Sequence, residues 1–168
     1  PGLVSQSIET GQSSGIMYEN ITSMWSRLLP GSRENAVFLV SPGSEQSLFH
    51  MSQAIGTGGN SVYLPSSGSN VSPYATLMGR PVIIHESMQA LNTKGDILLG
   101  DFSQGYIFAD KGSIKTDVSI SVRFQFDEMV MRFIYRIDGC PTLESSGGIS
   151  PFKGSDKLGH FVTLNARP

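Results

Sequence analysis

The sequence holds a single cysteine, Cys140, in 168 residues. No intrachain disulfide can form, which excludes a disulfide-stapled secreted scaffold and fits a reducing compartment. Long apolar runs are also missing. None exceeds the five residues of Ala36-Val37-Phe38-Leu39-Val40, and these runs fall far short of the roughly 20 apolar residues a membrane-crossing helix needs. There is no signal peptide and no initiating Met. The start, Pro1-Gly2-Leu3-Val4, reads as the interior of a longer protein. Charge is scarce and nearly balanced: 15 % of residues are charged, 12 basic against 14 acidic, for a formal net charge of -2. Nothing in this balance suggests a sequence-independent nucleic-acid binder, which needs a basic field against phosphate. The nearest approach to a basic cluster is Arg132 with Arg136, whose spacing puts both on one face of a strand.

What is present is apolar residues, 39 % of the chain, with 19 glycines and 9 prolines. That is enough for one domain with a real core, or one domain with an appendage. Such a chain has many turns and few long solvated helices. Two readings remain open: a loop-rich α+β domain, or a subunit whose thin surface charge reflects burial against neighbours.

Periodicity locates the elements. In MYENITSMWSRLL (17–29), Ile21, Met24, Trp25, Leu28 and Leu29 recur at helical spacing, and Pro30-Gly31 stops the helix. NAVFLV (35–40) predicts a buried strand. A second helix follows, capped by Ser44, with Leu48, Met51 and Ile55 on one face and Gly56 as its end. Residues 56–73 predict a loop with a minor strand at Val62-Tyr63-Leu64. LMGRPVII (77–84) predicts one strand, with Pro81 near its start suiting an edge or strand-initiating position. ILLG (97–100) and YIFA (106–109) are further strands, and Asp110-Lys111-Gly112 fits a hairpin connection. Alternation over 113–124 predicts a half-buried strand, and 129–137 resumes as a long strand. A last short strand covers 160–164. The order implies α+β with two helices near a mixed sheet, and a lobe boundary near residue 113.

Chemistry-bearing constellations are absent from the sequence. His50, His85 and His160 are far apart, and no HxH, HExxH or CxxC spacing occurs. Asp96, Asp101 and Asp110 match no calcium loop and read as turn-capping aspartates. There is no GxSxG, and Cys140 has no neighbouring His. Gly56-Thr57-Gly58-Gly59 follows a helix instead of opening one, so it is no phosphate cradle. Asp127-Glu128 are adjacent on an extended stretch and point oppositely, against an acid/base dyad. A salt bridge to Arg132, to Arg136 or to a base on a neighbouring subunit is the more natural use. Trp25 and Phe38 read as core. No cofactor, metal, membrane or small-molecule substrate is expected.

A series of motifs carries more. LMGRPVII with Gly79, Arg80 and Pro81 is followed by ILLGDFSQGY with Gly100, Asp101, Phe102 and Tyr106. FIYRIDG comes next, with Arg136, Asp138 and Gly139. NAVFLVSP (35–42) precedes them, and Pro1-Gly2-Leu3 opens the chain. In this order and at this spacing they resemble the HK97-type tailed-phage major capsid protein family, over nearly the whole chain. The resemblance implies an HK97-like capsid fold. Residues 1–16 would be a lead-in segment from the peripheral domain, 17–112 the axial domain, and 113–168 peripheral-domain strands and C-terminus. It implies a non-enzymatic subunit that self-assembles through hexameric and pentameric capsomers into an icosahedral head. Contact with packaged DNA would be non-specific, the place a virion capsid assembled in the host cytoplasm. One family type forms a Lys–Asn crosslink. Its asparagine would fall near Asp127 and its catalytic glutamate near Ile134, so the residue types do not match and no crosslinking is expected. Asp127, Glu128 and Arg132 are left as candidates for intersubunit salt bridges. A same-fold nanocompartment shell is the alternative, and a packaging-associated hydrolase a more distant one.

Overall fold

The computed structural model describes residues 3–7, 12, 14–55, 58–64, 75–143 and 147–168. Its elements in chain order are β1 (Leu3–Gln6), α1 (Tyr18–Arg27), β2 (Val37–Val40), α2 (Pro42–Phe49), β3 (Ser52–Ile55), β4 (Gly58–Ser61), β5 (Tyr63–Leu64), β6 (Ala75–Leu77) and β7 (Arg80–Ile84). There follow β8 (Ile97–Gly100), α3 (Phe102–Gly105), β9 (Tyr106–Asp110), β10 (Lys115–Ser119), β11 (Val130–Ile134), β12 (Ile137–Pro141) and β13 (Phe161–Leu164). They form two compact units. One joins the chain up to Gly105 with Pro141–Pro168; the other is Tyr106–Cys140. The expected boundary near residue 113 therefore has a different counterpart: residues 113–140 lie in the second unit and 141–168 in the first.

The first unit is built on a seven-stranded mixed sheet in the order β1-β13-β8-β2-β7-β6-β5. β13 runs parallel to β1 and antiparallel to β8, which is why the last strand belongs here. Alternate residues face one side: Val4, Phe38, Val40, Ile97, Leu99, Val162 and Leu164 are all buried. Ile21, Met24 and Leu28, spaced 3 and 4 apart along α1, join the same core, as does Leu48 of α2. Each such fully buried aliphatic side chain contributes about 1.5–3 kcal/mol. Phe38 is central, whereas Trp25 is half-buried with the Arg33 guanidinium 5.7 Å over its ring.

Several expectations need correction. The second helix begins at Pro42, not after Ser44. Ser41 is the N-cap position, Pro42 supplies its fixed φ at the first helical turn, and buried Ser44 exchanges a 2.8 Å hydrogen bond with the Ser41 hydroxyl. The helix ends at Phe49, not Gly56, because Ser52–Ile55 pairs as β3 with Gly58–Ser61 as β4. Gly56 itself, and residues 65–73 of the expected loop, lie outside the described residues. The expected strand over 77–84 is two strands. Met78 (φ 51°) and Gly79 (φ 74°) form a two-residue turn with both central φ angles positive, and β6 pairs back on β7. β7 is not an edge strand, yet Pro81 fits at its start. It opposes Thr76 one step beyond the turn-closing pair, where backbone N–H groups point away from the partner, and the β2 ladder begins only at Val82.

A buried polar junction ties three distant segments together. Asn92, at φ 71°, accepts the Gly15 N–H on its side-chain oxygen at 2.8 Å and the Arg167 N–H on its carbonyl at 2.8 Å. Its own N–H donates to the Asp96 carboxylate at 3.1 Å. Arg167 pairs with that same carboxylate, and both side chains are fully buried. Burial pushes the Asp96 carboxyl above its ordinary range, opposed by Arg167 and the backbone amides.

Candidate assembly surface

The second unit begins where the motif series is densest. Gly100 is the register partner of Phe161, and Asp101 follows as the cap of α3, its Oδ1 accepting the N–H groups of Ser103 (2.9 Å) and Gln104 (3.3 Å). Phe102 then meets Phe161 with ring centroids 5.3 Å apart. Gly105 ends the short helix where a Cβ would lie 2.7 Å from His160 and 2.8 Å from Phe161. Tyr106 opens β9, and its ring crosses Gly139 of β12, where a Cβ would lie 2.6 Å from the ring. Asp138 Oδ1 accepts the Gly139 N–H at 2.8 Å. Arg80 donates to the Glu34 carbonyl. These motif residues thus position backbone and rings. Asp101 caps a turn, whereas Asp96, read from the sequence as a turn aspartate, closes the turn from Asn92 and is also the fully buried partner of Arg167; Asp110 accepts the Tyr135 hydroxyl at 3.1 Å.

From Tyr106 the chain runs out through β9 and β10, turns over a 3₁₀ segment at Phe124–Phe126, and returns through β11 and β12. The expected hairpin at 110–112 does not form. β9 pairs with β12 and β10 with β11, so positive-φ Gly112 bends an outgoing strand. The Lys111 N–H donates to the Arg136 carbonyl at 3.0 Å and bridges the gap between the two ladders.

Register assigns the faces of β10–β11. Thr116 opposes Phe133 and Val118 opposes Met131 on one side. On the other, Lys115 opposes Ile134, Asp117 opposes Arg132 and Ser119 opposes Val130. Ile114, Ile120, Met129 and Tyr135, which flank the two strands, are exposed as well. The strand expected to be half-buried over 113–124 is in fact open, as is its partner: Val118 is 55 % exposed, Met131 59 % and Phe133 67 %. A two-stranded ribbon has two free faces and cannot bury either by itself. A contiguous exposed apolar face of this kind marks a surface made to be covered.

The salt-bridge candidates separate. Arg132 pairs with Asp117 directly across the strands at 2.6 Å, and Glu128 pairs with Arg123 at 3.0 Å. Asp127 sits at φ 53° and its N–H donates to the Phe124 carbonyl at 3.4 Å, closing the tip. Arg132 and Arg136 do share one side, as their spacing implied, and line a groove with Lys111 and Lys115. Sequence reasoning missed Asp117, whose signal was its place opposite Arg132, and Lys115. Among the described residues no cluster of His, Cys, Asp or Glu fit to hold a metal occurs, and no helix is long and apolar enough to cross a membrane.

Residues 1–146 match the model of the phage capsid family. The chain belongs to that family. Two solved capsids share its fold. One is the capsid of an empty GTA particle computed with C5 symmetry: 19 % identity, TM-score 0.63, covering 99 % of this chain and 50 % of that one. The other is the capsid of the native GTA particle: 18 % identity, TM-score 0.62 and the same coverage. The chain spans half the length of these structures. No curated protein matches it. Membership of the phage capsid family and this fold are those of a structural protein, and the mixed α/β architecture is consistent with the HK97-like fold that the motif series implied.

Proposed function

We propose that this chain is the assembly-bearing part of a major capsid subunit that builds a closed phage-type head from copies of itself. The observation that carries this is the exposed apolar face of the β10–β11 ribbon, with Met131 and Phe133 at its centre. A surface so apolar is unfavourable in a lone subunit and becomes favourable once covered. Many modest contacts of this kind, repeated by symmetry, sum to a stable shell without a catalytic pocket. Family membership and the fold of the two GTA capsids support the reading, and neither favours a nanocompartment shell or a hydrolase.

In this reading the sheet unit takes the axial-type role and the ribbon unit supplies the peripheral-domain strands. We take the boundary between these roles at Tyr106 and group residues 141–168 with the sheet, which β13 joins as an inner strand. Subunits group into hexameric and pentameric capsomers, assembled in the host cytoplasm into the virion capsid. Contact with packaged DNA is non-specific, in keeping with a net charge of -2. Electron microscopy and sedimentation of the whole gene product test this. Closed shells or capsomers are expected; a persistent monomer with hydrolytic activity overturns the reading.

A further inference from the structure

The ribbon's charge is divided along its length. At one end Lys111, Lys115, Arg132 and Arg136 line a groove of about 400 Å³ in which Asp117 is the one carboxylate. Asp117 is taken by Arg132 at 2.6 Å, so within the groove lining Lys111, Lys115 and Arg136 have no carboxylate of their own. Asp110 and Asp138 line a neighbouring hollow with Lys111 and Arg136; Asp110 accepts the Tyr135 hydroxyl and Asp138 the Gly139 N–H, but both keep their charge, so this end as a whole holds one more cation than carboxylates. At the other end, Asp127 and Glu128 line a small cavity with Phe124 and Met129. Glu128 is held by Arg123 at 3.0 Å, so Asp127 is the surplus carboxylate of the tip.

We propose that the Asp127 tip of one copy docks in the Lys111–Lys115–Arg136 groove of a second copy. The inference rests on the capsid reading and names the partner of the ribbon's polar face. Lys115, the groove cation nearest the tip, opens β10, and the strand's far end at Ser119 is four steps of about 3.3 Å away, roughly 13 Å and beyond the ~8 Å screening length at physiological salt. The two ends therefore do little for each other within one copy, and each finds its complement on another. Such a contact joins different patches on the two partners, so it is heterologous. Repeated around an axis, it closes a ring. The groove also offers Ile134, and the tip Phe124 and Met129, so apolar contact accompanies the charge pairing. Nucleic acid is the rival occupant. The carboxylate of Asp117 within the groove and the shortness of the strip favour a protein tip over a phosphate chain.

The test is charge reversal in the whole gene product, with particle yield read by sedimentation and electron microscopy. Asp127→Lys alone, and Lys115→Glu with Arg136→Glu, are each expected to lower yield about tenfold or more, because like charges then face each other. Asp127→Asn should give an intermediate loss. Combining both reversals should restore yield to within about threefold of the starting protein. Recovery supports the contact whatever the single variants do to folding. No recovery, or undiminished assembly of Asp127→Lys, overturns the docking while leaving the capsid reading intact. Loss of duplex-DNA binding on Lys115→Glu with assembly unchanged also overturns it, in favour of the nucleic-acid occupant. A starting protein that never assembles overturns the capsid reading, and the docking with it.

Discussion

Phe161 lies across Gly100. The two residues are partners in the β13–β8 ladder, and a Cβ on Gly100 would stand 2.4 Å from the ring Cδ1. The backbone of Gly100 has no positive φ, so the requirement for glycine is purely one of space. Gly100→Ala should therefore destabilise the protein by about 1–3 kcal/mol through overpacking. Thermal or urea unfolding measures it, and Phe161→Leu in the same background should recover part of the loss by making room.

Gly79 is required for the opposite reason. It sits at φ 74° with nothing within 4 Å of where a Cβ would be. Gly79→Ala should cost about 1–2 kcal/mol from the left-handed backbone alone, and no change to a neighbour should recover it. The contrast between the two glycines in one unfolding series separates steric from conformational demand.

The Asp96–Arg167 pair is fully buried, and Asn92 connects it to Gly15. Arg167→Leu leaves a buried carboxylate without its guanidinium and should cost about 3–5 kcal/mol. Asp96→Leu strands the guanidinium and should cost a similar amount. The double variant should lose clearly less than the sum of the two, which a double-mutant cycle by urea denaturation reads directly.

The apolar face of the ribbon should behave in two ways at once. Met131→Ser with Phe133→Ser removes side chains that are 59 % and 67 % exposed, so chain stability should change by no more than about 0.5 kcal/mol. Particle yield should nevertheless collapse. Equal loss of stability and assembly would mean that the face is buried within the subunit's own core.

Much of this was written in the linear sequence. Ile21, Met24 and Leu28 announce α1 by their spacing, and the alternation through 37–40 and 129–134 announces strands, because helix and strand periods are properties of a local backbone. The motif order from Gly79 to Gly139 was equally legible, and with it the family. What stayed hidden depended on partners distant in sequence. Whether Met78-Gly79 turns or extends is decided by the pairing of β6 with β7. Whether 52–55 continues a helix is decided by β4. Whether Asp110-Lys111-Gly112 closes a hairpin is decided by β12, which takes the strand that β10 would otherwise pair. Alternation also says that one side of 113–124 and of 129–137 is apolar, but not that it is buried. Burial requires something to lie against it, and only the tertiary structure shows Val118, Met131 and Phe133 open to solvent. Thin charge and one-sided alternation of apolar residues in the sequence left open both a loop-rich domain and a subunit whose apolar faces are covered by neighbours. Only the fold decided that they gather on one ribbon, because cross-strand register alone brings residues of β10 and β11 to the same face.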